Sequence, residues 1–481
     1  MNISVVGLGK IGSCILATLA SKGFKVVGID INKDVVKKIN SGEAPYYEPG
    51  LDKLLKKYEK NIFATTNHER ILDTDLTIIM VQTPSLPDGS FSTEYVEKAV
   101  LEVGRVIPHS KDYHNIIITS TVLPGMMENK IKPLLEQCTN RKVSPILVDV
   151  DMDIPNGKGG LVSKSVTKKS IGLCYVPEFI ALGSIIENLL NPDFIVIGES
   201  DKKAGDMVEV MYRKLLGEPV TDSMGSEVPG FIECKTPIHR MSIVNAELAK
   251  IALNVYITMK ISFANTIAEI CEHMPTGNAE DVLNAIGSDT RIGTKFLHPG
   301  LSYGGTCFPR DNKAFKVIAD KYKSQDFLSQ MAEVVNIQQI NRMVTIILQA
   351  LSYAGTNKLS VLGLTYKPDT NLTVESASLK IIEKLSEEGI YIDVYDPAIK
   401  QGFDDLPLTS NVTFCDSVEK CILDKSVVFI ATPWNEFKEL KAEFFIQYMK
   451  EKPTIVDGWG IQRQLRNHPE IIYQQIGVNR I

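Results

Sequence analysis

The stretch Ile3-Ser4-Val5-Val6-Gly7-Leu8-Gly9-Lys10-Ile11-Gly12 decides the fold of this chain. A short β-branched run leads into three glycines at GxGxxG spacing, and a helical pattern follows. The first glycine permits a tight turn, the second lets backbone approach a pyrophosphate, and the third packs helix on strand. The N-terminus of the helix attracts the phosphates. The stretch therefore predicts a dinucleotide-binding strand–helix–strand unit, whereas the glycines alone would also fit a structural turn.

Asp30 strengthens this prediction because it ends the second predicted strand. A carboxylate at that place accepts hydrogen bonds from the adenosine ribose and repels a 2′-phosphate, which favours NAD over NADP. We therefore predict NAD as the cofactor. The residues predicted to bind it in this unit are Gly7, Gly9, Lys10, Ile11, Gly12 and Asp30.

Beyond this unit, short β-branched runs alternate with helical stretches, as in a parallel sheet with helices on both faces. The predicted strands of the first half are 3–7, 25–30, 62–65, 76–81, 115–121, 172–177 and 194–198, and those of the last third are 359–364, 391–395, 412–415, 427–431 and 454–456. Between them, 245–273 lacks glycine and proline and predicts one long helix. We predict an α/β fold with two Rossmann-like, doubly wound parallel-sheet domains joined by a helical domain.

The predicted domains are an NAD-binding domain over 1–216, a central helical dimerisation domain over 240–332 and a second Rossmann-like domain over 356–481. The last domain repeats the layout of the first, since a strand ends at Gly363 and the next strand ends at Asp396. It lacks the other two glycines, so we do not expect it to hold a dinucleotide in the same way. The polar, glycine- and lysine-containing stretch 141–170 is interpreted as a solvated surface loop.

Composition excludes several classes of function. The 481 residues carry a net charge of -6, from 52 basic and 58 acidic residues that are intermixed, so no basic stripe indicates nucleic-acid binding. The eight cysteines form no CxxC pair and there is no HExxH, so no metal site is predicted. The N-terminus enters a strand at once, and no run of about 18 apolar residues occurs. We expect a soluble cytoplasmic protein that does not bind a membrane.

The second informative stretch is Tyr303-Gly304-Gly305-Thr306-Cys307-Phe308-Pro309-Arg310-Asp311. It sets one cysteine between a glycine turn and a helix that begins with proline. The partial positive charge of a helix N-terminus favours the thiolate of Cys307. The alternative is a small buried residue, which many free cysteines are.

With these pieces located, the chain resembles the UDP-glucose/GDP-mannose dehydrogenase family over nearly its full length. The stretches that carry the resemblance are GLGKIG (7–12), VQTPSLPDG (81–89), STVLPG (120–125), PEF (177–179), NAELAKIALN (245–254), GGTCFPRD (304–311), VLGLTYKPDT (361–370) and YDP (395–397). The resemblance implies an enzyme that oxidises the C6 hydroxymethyl of a nucleotide-linked sugar to a carboxylate with two NAD, and it implies a role in polysaccharide biosynthesis.

The reaction implied by this resemblance explains the cysteine. Loss of a first hydride gives an aldehyde, which cannot lose a second hydride until a nucleophile adds to its carbonyl carbon. The Cys307 thiolate would form a hemithioacetal, whose oxidation gives a thioester for water to cleave. Lys250 and Asn254, four residues apart on one helix, are implied as donors to the alkoxide and tetrahedral oxyanions. Taken alone, this spacing also fits a solvated helix face.

The remaining roles also follow from the resemblance. Asp311 is implied to position the base or the catalytic water, and Glu178 is the candidate base for hydrolysis of the thioester. Thr121 would orient that water or the nicotinamide, although capping of the next helix is an equal alternative. Thr83, Thr121 and Arg310 are further predicted cofactor contacts. The predicted substrate contacts are Glu178, Phe179, Lys250, Asn254, Tyr303, Gly304 and Lys367.

Three positions depart from the family pattern. Leu182 stands where a second glutamate is usual, and Val374 and Trp459 stand where arginines are usual. The first change leaves the identity of the hydrolytic base open. The other two remove cations that would meet phosphates, so binding would rest on Lys367, Arg310 and backbone donors.

The sequence therefore predicts a homodimeric, NAD-dependent nucleotide-sugar 6-dehydrogenase, with UDP-glucose as the first candidate substrate and GDP-mannose as the second. Two alternatives stay open. A two-electron hydroxyacid-type dehydrogenase would share the Rossmann and helical domains but would need neither Cys307 nor the third domain. A non-catalytic nucleotide-sugar-binding protein would fit the three departures.

Overall fold

A computed structural model describes residues 1–109, 113–143, 170–217, 236–400 and 409–479. The chain forms two compact units, Met1–Lys250 and Ile251–Ile481. Most of the predicted loop over 141–170 lies outside the described residues. Within it, Arg141 is buried and residues 142 and 143 form a strand.

The first unit alternates strands and helices from its first residues. Its strands are β1 (Asn2–Val6), β2 (Lys25–Ile29), β3 (Ile62–Thr65), β4 (Leu76–Ile79), β5 (Asn115–Ile118), β6 (Lys142–Val143), β7 (Ser170–Tyr175), β8 (Ile195–Glu199) and β9 (Ile238–Ser242). Its helices are α1 (Lys10–Ser21), α2 (Lys33–Asn40), α3 (Leu51–Lys57), α4 (Glu94–Val106), α5 (Lys132–Thr139), α6 (Ile185–Leu190) and α7 (Lys202–Leu216). Short 3-10 turns lie at Glu59–Asn61, His68–Asp73 and Ile107–His109, and a π turn lies at Met127–Ile131.

These strands form one sheet in the order β3-β2-β1-β4-β5-β7-β8-β9, with β6 paired to β7. The predicted doubly wound parallel sheet is confirmed, with one exception at its end, where β8 runs antiparallel to β7. The residue pattern of a single strand does not show whether it runs parallel to its neighbour. The connection between the two strands shows this, because parallel strands need a long crossover that usually contains a helix. β9, which pairs parallel with β8, was not predicted.

Both faces of this sheet are covered by apolar side chains. Ile3 and Val5 belong to one buried cluster, and Val6 belongs to the other. In β5, Ile117 belongs to the first cluster and its neighbours Ile116 and Ile118 belong to the second. Strands that are buried on both faces read as continuous apolar runs, which is why they could be found from sequence.

His114 lies buried beside this sheet and makes folding depend on pH. Its Nε2 is 2.7 Å from Thr77 Oγ1, and Thr77 Oγ1 is 2.7 Å from Ser4 Oγ. Burial lowers the pKa of His114 to about 4, which a backbone hydrogen bond with Thr74 only partly opposes. His114 therefore takes up a proton near pH 6.5 in the unfolded chain, but only near pH 4 in the folded chain.

We expect the free energy of unfolding to fall as the pH falls through this window, by about 2 kcal/mol between pH 7 and pH 5 from His114 alone. Urea unfolding of the parent and of a His114→Gln variant at both pH values measures the contribution. The expected result is a smaller pH dependence in the variant. An equal pH dependence in both proteins would show that His114 takes up its proton at the same pH in the folded and the unfolded state.

The second unit holds the other sheet and the long helices. Its strands are β10 (Lys358–Leu362), β11 (Tyr391–Tyr395), β12 (Val412–Phe414), β13 (Val427–Ile430), β14 (Thr454–Asp457) and β15 (Ile472–Gln475). The helices are α8 (Ile243–His273), which begins in the first unit, α9 (Ala279–Gly287), α10 (Phe308–Lys321), α11 (Leu328–Tyr353), α12 (Ala377–Glu387), α13 (Val418–Ile422), α14 (Asn435–Lys438) and α15 (Ala442–Tyr448), with a 3-10 turn at Arg463–Leu465.

The second sheet has the order β12-β11-β10-β13-β14-β15, and all its pairs are parallel. Val361 and Leu362 of β10 face separate buried clusters, so this sheet is also covered on both faces. Two Rossmann-like sheets and a long helix are thus confirmed. The 26-residue helix α11 and the edge strand β15 were not predicted.

The long helix α8 carries apolar side chains on more than one face. Among the described residues it is the one helix that length and composition would allow to cross a bilayer, with a mean hydropathy of 1.2 in a window that is 44% buried. Ala264 and Ala268 are buried on its inner side, whereas Tyr256, Phe263 and Ile270 are exposed. The exposed three recur every seven residues, so they lie along one side of the helix.

Candidate active site

The turn after β1 has the shape that a pyrophosphate needs. Gly7 has a φ of +92°, its N–H donates to Ile29 O at 2.8 Å, and a Cβ there would collide with the carbonyl of Met80. A Cβ on Gly12 would collide with the carbonyl of Gly7, whereas one on Gly9 would meet nothing within 4 Å. No side chain caps α1, which begins at Lys10. There is therefore no space for a side chain at Gly7 or Gly12. The space beside Gly9 is open, and a phosphate would approach the backbone there.

Asp30 is oriented by the same turn. Its Oδ2 accepts from Leu8 N at 2.7 Å and its Oδ1 accepts from Asn32 N at 2.8 Å. The carboxylate consequently stands at the end of β2, and its remaining lone pairs are available to a ribose. Lys10 Nζ lies 3.6 Å from Glu48 Oε2. The six residues predicted to bind NAD thus lie around one turn, and they fit the cofactor.

The loops after β4 and β5 are tied together at this edge of the sheet. Val81 N donates to Ser120 Oγ at 2.9 Å, and Ser120 Oγ donates to Val81 O at 2.7 Å. The predicted contacts Thr83 and Thr121 lie in these two loops, with Thr83 buried and Thr121 half-buried. Both loops lie at the carboxyl ends of parallel strands, where ligands of open α/β sheets bind.

Glu247, which the sequence analysis missed, anchors the second of these loops. Its fully buried carboxylate accepts from Gly125 N at 2.7 Å and from Met127 N at 2.9 Å. These N–H groups start the turn that follows Thr121, so Glu247 supplies the cap that had been the alternative role of Thr121. An acid among the apolar residues of the first turns of α8 could have revealed it, because a buried carboxylate needs hydrogen-bond donors.

Lys250 lies one turn further along α8 and contacts the PEF stretch. Its Nζ donates to Glu178 O at 2.7 Å and lies 5.0 Å from the centre of the Phe179 ring. The lysine is 9% exposed, so its ammonium is held rather than solvated. This arrangement favours the predicted role as a fixed donor over that of a solvated helix face.

The side-chain carboxylate of Glu178 has a different partner from its backbone carbonyl. Its Oε1 accepts from the Tyr212 hydroxyl at 2.9 Å. Burial raises the pKa of Glu178 to about 6, although the hydrogen bond from Tyr212 and the charge of Lys250 oppose the rise. The group also lines a cavity of about 10 Å³ with Thr119 and Tyr212, which has room for about one water. A carboxylate with a pKa near neutrality suits a general base.

Leu182 packs against the hydrophobic core of the first unit. Position 182, where a second glutamate is usual, therefore carries an apolar side chain in apolar surroundings. Glu178 is then the acid that the PEF stretch offers for proton transfer.

In the second unit, Cys307 is the N-cap residue of α10 and its side chain is exposed. The helix begins at Phe308, so Pro309 takes the second helical position rather than the first. The Cys307 Sγ lies 3.6 Å from Thr306 Oγ1. An exposed thiol at a helix N-terminus is the arrangement that the sequence predicted, and it excludes the alternative of a small buried residue.

Asp311 connects this helix to α8. Its fully buried carboxylate accepts from Asn254 Nδ2 at 2.6 Å and from Arg310 Nε at 3.2 Å. The Asp311 N–H also donates to Cys307 O at 2.8 Å. The thiol, the carboxylate and the amide of Asn254 are therefore joined through one helical turn and one hydrogen bond.

Three buried amides hold the loop that leads to Cys307. Asn265 accepts from Gly300 N and donates to Leu301 O, both at 3.0 Å. Asn336 accepts from Tyr303 N at 2.7 Å and donates to Tyr303 O at 3.1 Å. Gln339 of α11 donates to Gly300 O at 2.6 Å. The loop consequently has its backbone groups satisfied by side chains, which fixes a non-repetitive segment.

Tyr303 itself points into the interior. Its hydroxyl donates to Glu333 Oε2 at 2.8 Å and accepts from Asn312 Nδ2 at 2.7 Å, while Asn312 Oδ1 accepts from Thr258 Oγ1 at 3.0 Å. The ring is 5% exposed. Tyr303 therefore supports the loop, and a substrate would meet the backbone here rather than the phenol.

The glycine turn before Cys307 is packed against the segment that follows β10. A Cβ on Gly304 would collide with Glu375 O, and one on Gly305 would lie 2.6 Å from the Tyr366 ring. Gly305 N donates to Val374 O at 3.0 Å. Burial, with the nearby Cys307, raises the pKa of the Tyr366 phenol to about 12. No larger residue fits at either glycine.

Two residues that replace the usual arginines thus help to hold this loop. Val374 does so through its carbonyl. Trp459 does so through its ring, since a Cβ on Gly300 would lie 2.5 Å from it, while its Nε1 donates to Ala431 O at 2.9 Å. Both positions are integrated into the fold of the second unit.

The second sheet has a turn built like the one after β1. Gly363 has a φ of +103° and its N–H donates to Tyr395 O at 2.7 Å. Asp396 Oδ2 accepts from Leu364 N at 2.7 Å and from Thr365 N at 3.1 Å. Lys367, half-buried, follows directly. Because Asp396 is buried and occupied by these donors, it completes the turn and has little capacity for a ribose.

Within the described residues, no group of three or more His, Cys, Asp or Glu side chains could hold a metal ion. Three models of one protein family match the chain in order. They are the UDP-glucose/GDP-mannose dehydrogenase NAD binding domain over residues 1–216, the central domain over 244–338 and the UDP binding domain over 360–464.

Individual proteins match along the whole length. The UDP-glucose 6-dehydrogenase AglM of Haloferax volcanii is 31% identical over 95% of this chain and 96% of its own. The structure of a UDP-glucose dehydrogenase from Pyrobaculum islandicum has a TM-score of 0.80 at 27% identity, covering 99% of this chain and 98% of its own. That of a UDP-D-ManNAc dehydrogenase from Pyrococcus horikoshii has a TM-score of 0.77 at 26% identity and covers all of both chains.

Proposed function

This chain belongs to the UDP-glucose/GDP-mannose dehydrogenase family, and from that premise we propose how it works as an NAD-dependent nucleotide-sugar 6-dehydrogenase. It oxidises the C6 hydroxymethyl of a nucleotide-linked hexose to the carboxylate through a thioester on Cys307. UDP-glucose is the first candidate substrate and GDP-mannose the second. The observation that carries the proposal is the exposed thiol at the start of α10, joined through Asp311 to Asn254.

NAD, when bound, supplies the acceptor for each of two hydrides. The turn from Gly7 to Gly12 would hold its pyrophosphate and Asp30 its ribose, with Thr83 and Thr121 near its other end and Arg310 as a further contact. A carboxylate that is already fixed by Leu8 N would repel a 2′-phosphate, so NAD rather than NADP is the cofactor.

The residues of the chain carry the carbon chemistry. In the first oxidation, the substrate hydroxyl passes its proton to water, the Lys250 ammonium stabilises the alkoxide that forms, and loss of a hydride from C6 gives the aldehyde. The Cys307 thiolate then adds to the aldehyde carbon, and Lys250 and Asn254 donate to the resulting oxyanion. Loss of the second hydride restores a C=O bond and leaves the thioester.

Water then releases the acid. Glu178, whose pKa of about 6 matches the task, takes a proton from the attacking water, and Asp311 holds Asn254 in place for the second tetrahedral oxyanion. The sulfur leaves as thiolate and Glu178 gives its proton up to solvent, which returns the enzyme to its starting form. Phe179, Gly304 and Lys367 are proposed substrate contacts, and Tyr303 acts through the loop that it supports.

The test is NADH formation with a panel of UDP-glucose, GDP-mannose and their N-acetyl relatives. We expect about two NADH per uronate with one member of the panel. One NADH per sugar with a released aldehyde would favour the two-electron alternative. Ligand binding without NADH from any member would favour a non-catalytic protein, which the three departures had suggested.

We also propose that the chain is a homodimer in the cytoplasm, supplying acidic sugars for polysaccharide biosynthesis. The support for a dimer is a set of exposed apolar side chains in the second unit. They are Tyr256, Phe263 and Ile270 on α8, Leu328, Met331, Val334 and Ile337 on α11, and Phe327 directly before α11. The two helices adjoin, since Ser262 Oγ donates to Ala332 O at 2.9 Å. An apolar surface of this kind is typical of an interface between subunits, and a second copy is its proposed occupant.

A Phe263→Glu, Met331→Glu variant tests the dimer by light scattering after size-exclusion chromatography. We expect the parent to have the mass of two chains and the variant that of one, because two carboxylates would be buried without partners. Tyr353→Glu, at a more exposed aromatic position at the far end of α11, is the control and should leave the dimer intact. A monomeric parent would contradict the proposal.

A further inference from the structure

A second pair of thiols lies in the second unit. Cys415 directly follows β12 and Cys421 lies in α13, and both approach the same point of β11. Cys415 N donates to Val394 O at 2.8 Å, while Cys421 Sγ donates to Asp393 O at 3.4 Å. The two side chains also interact directly with each other. Their sulfur atoms therefore face each other across one strand end.

The two thiols differ in surroundings. Cys415 is half-buried and Cys421 is buried. The interaction with Cys421 lowers the pKa of Cys415 and Lys425 adds to this, against burial and the charges of Asp393 and Asp416. Burial raises the pKa of Cys421 well above its usual value. The pair thus combines a reachable sulfur that favours the thiolate with a protonated sulfur behind it.

We propose that Cys415 and Cys421 form an oxidation-sensitive site that closes to a disulfide with a hydroperoxide as the oxidant. The Cys415 thiolate attacks the peroxide oxygen, which becomes a sulfenic acid while the alcohol or water leaves. The Cys421 sulfur then attacks the Cys415 sulfur, its proton leaves with the hydroxyl as water, and the S–S bond forms. One peroxide is reduced by two electrons as two thiols are oxidised.

Closure changes contacts inside the second sheet. As a thiol, Cys421 donates to Asp393 O and, at 3.8 Å, to Val361 O of β10. In the disulfide, Cys421 has no S–H left to donate to β10 and β11, the two strands that lead to the Gly363 turn. The site is therefore distinct from Cys307 in sequence and in chemistry, since it needs two sulfurs and no substrate.

Cys138 provides an internal comparison. It is half-buried like Cys415, but its Sγ donates to the carbonyls of Leu135 at 3.5 Å and Val100 at 3.8 Å. Burial raises the pKa of Cys138. A thiol with similar exposure but no thiol partner should react with peroxide more slowly, by about tenfold or more.

The experiment uses the full-length Cys307→Ser chain, which removes the exposed thiol. The protein is treated with hydrogen peroxide at neutral pH, its remaining thiols are alkylated, and it is digested by trypsin without reduction. Trypsin cuts after Lys400, Lys420 and Lys425, so Cys415 and Cys421 fall in separate peptides, 401–420 and 421–425. We expect these peptides to appear linked, to separate on reduction, and to do so while Cys138 is still alkylated.

A second variant isolates the first step. With Cys421→Ser, Cys415 should stop at the sulfenic acid, which dimedone traps, and no linked peptide should form. If the Cys307→Ser chain with both Cys415 and Cys421 present gave no linked peptide while Cys138 was oxidised, the proposed site would be refuted. Conversion of Cys415 to a sulfinic acid without the link, in the presence of Cys421, would also overturn the proposal.

Discussion

We expect the Cys307→Ser variant to form uronate about 10³-fold more slowly than the parent, or not at all, while it binds NAD with unchanged affinity. A serine hydroxyl keeps the shape of the thiol but is not ionised near neutral pH, so it adds poorly to the aldehyde. The loop around residue 307 should be unaffected, because its contacts are made by Asn265, Asn336 and Gln339. Product analysis by chromatography and NAD titration by calorimetry give the two quantities.

The control for this variant is Cys138→Ser, which alters a half-buried thiol of the first unit outside the proposed site. It should keep the activity of the parent. Uronate formation by Cys307→Ser at the parent rate would refute covalent catalysis at this residue, whatever the activity of the control.

Lys250→Met should lower kcat by about 10² to 10³, because it removes a donor to the oxyanion while keeping the apolar stem. The affinity for NAD should change little, since the predicted cofactor contacts of the Gly7 turn are made by other residues. Steady-state kinetics with the preferred sugar nucleotide measures the effect. The exposed ion pair of Lys316 with Asp320 supplies the control variant Lys316→Met, which should be neutral. A Lys250→Met enzyme with a raised KM but an unchanged kcat would show that the lysine only binds.

The strands and the cofactor turn could be predicted from sequence because their causes are local. Residues 62–65 and 391–395 alternate or run as apolar segments, and the structure places strands at these residues. Gly7 and Gly12 are required by contacts within a few residues and one neighbouring strand. The N-cap position of Cys307 likewise follows from a glycine turn and a helix start next to each other in the chain.

What could not be predicted depends on distant partners. The carboxylate of Glu178 turns to Tyr212, which lies on another element, and no local pattern shows this. The same holds for Glu247, whose partners Gly125 and Met127 are far away in sequence. The antiparallel direction of β8 and the register of β15 are likewise set by the sheet as a whole.

The departures at Val374 and Trp459 show a further limit of sequence comparison. Their lost charges suggested weakened phosphate binding, but the structure packs the Trp459 ring against Gly300 of the loop before Cys307, whereas the exposed Val374 contacts that loop only through its backbone carbonyl. A substitution can therefore remove one contact and supply another that the pattern does not display. Leu182, by contrast, only extends the core.

The most direct test of this account is the covalent state of Cys307 during turnover. The enzyme is mixed with NAD and the preferred sugar nucleotide, quenched in acid within the first turnovers and digested with trypsin. The peptide 296–310, which holds Cys307, is then weighed. The account predicts a fraction of this peptide carrying the mass of the acyl nucleotide sugar, labile to hydroxylamine and absent without NAD. Uronate formation with this peptide unmodified at every quench time would contradict it.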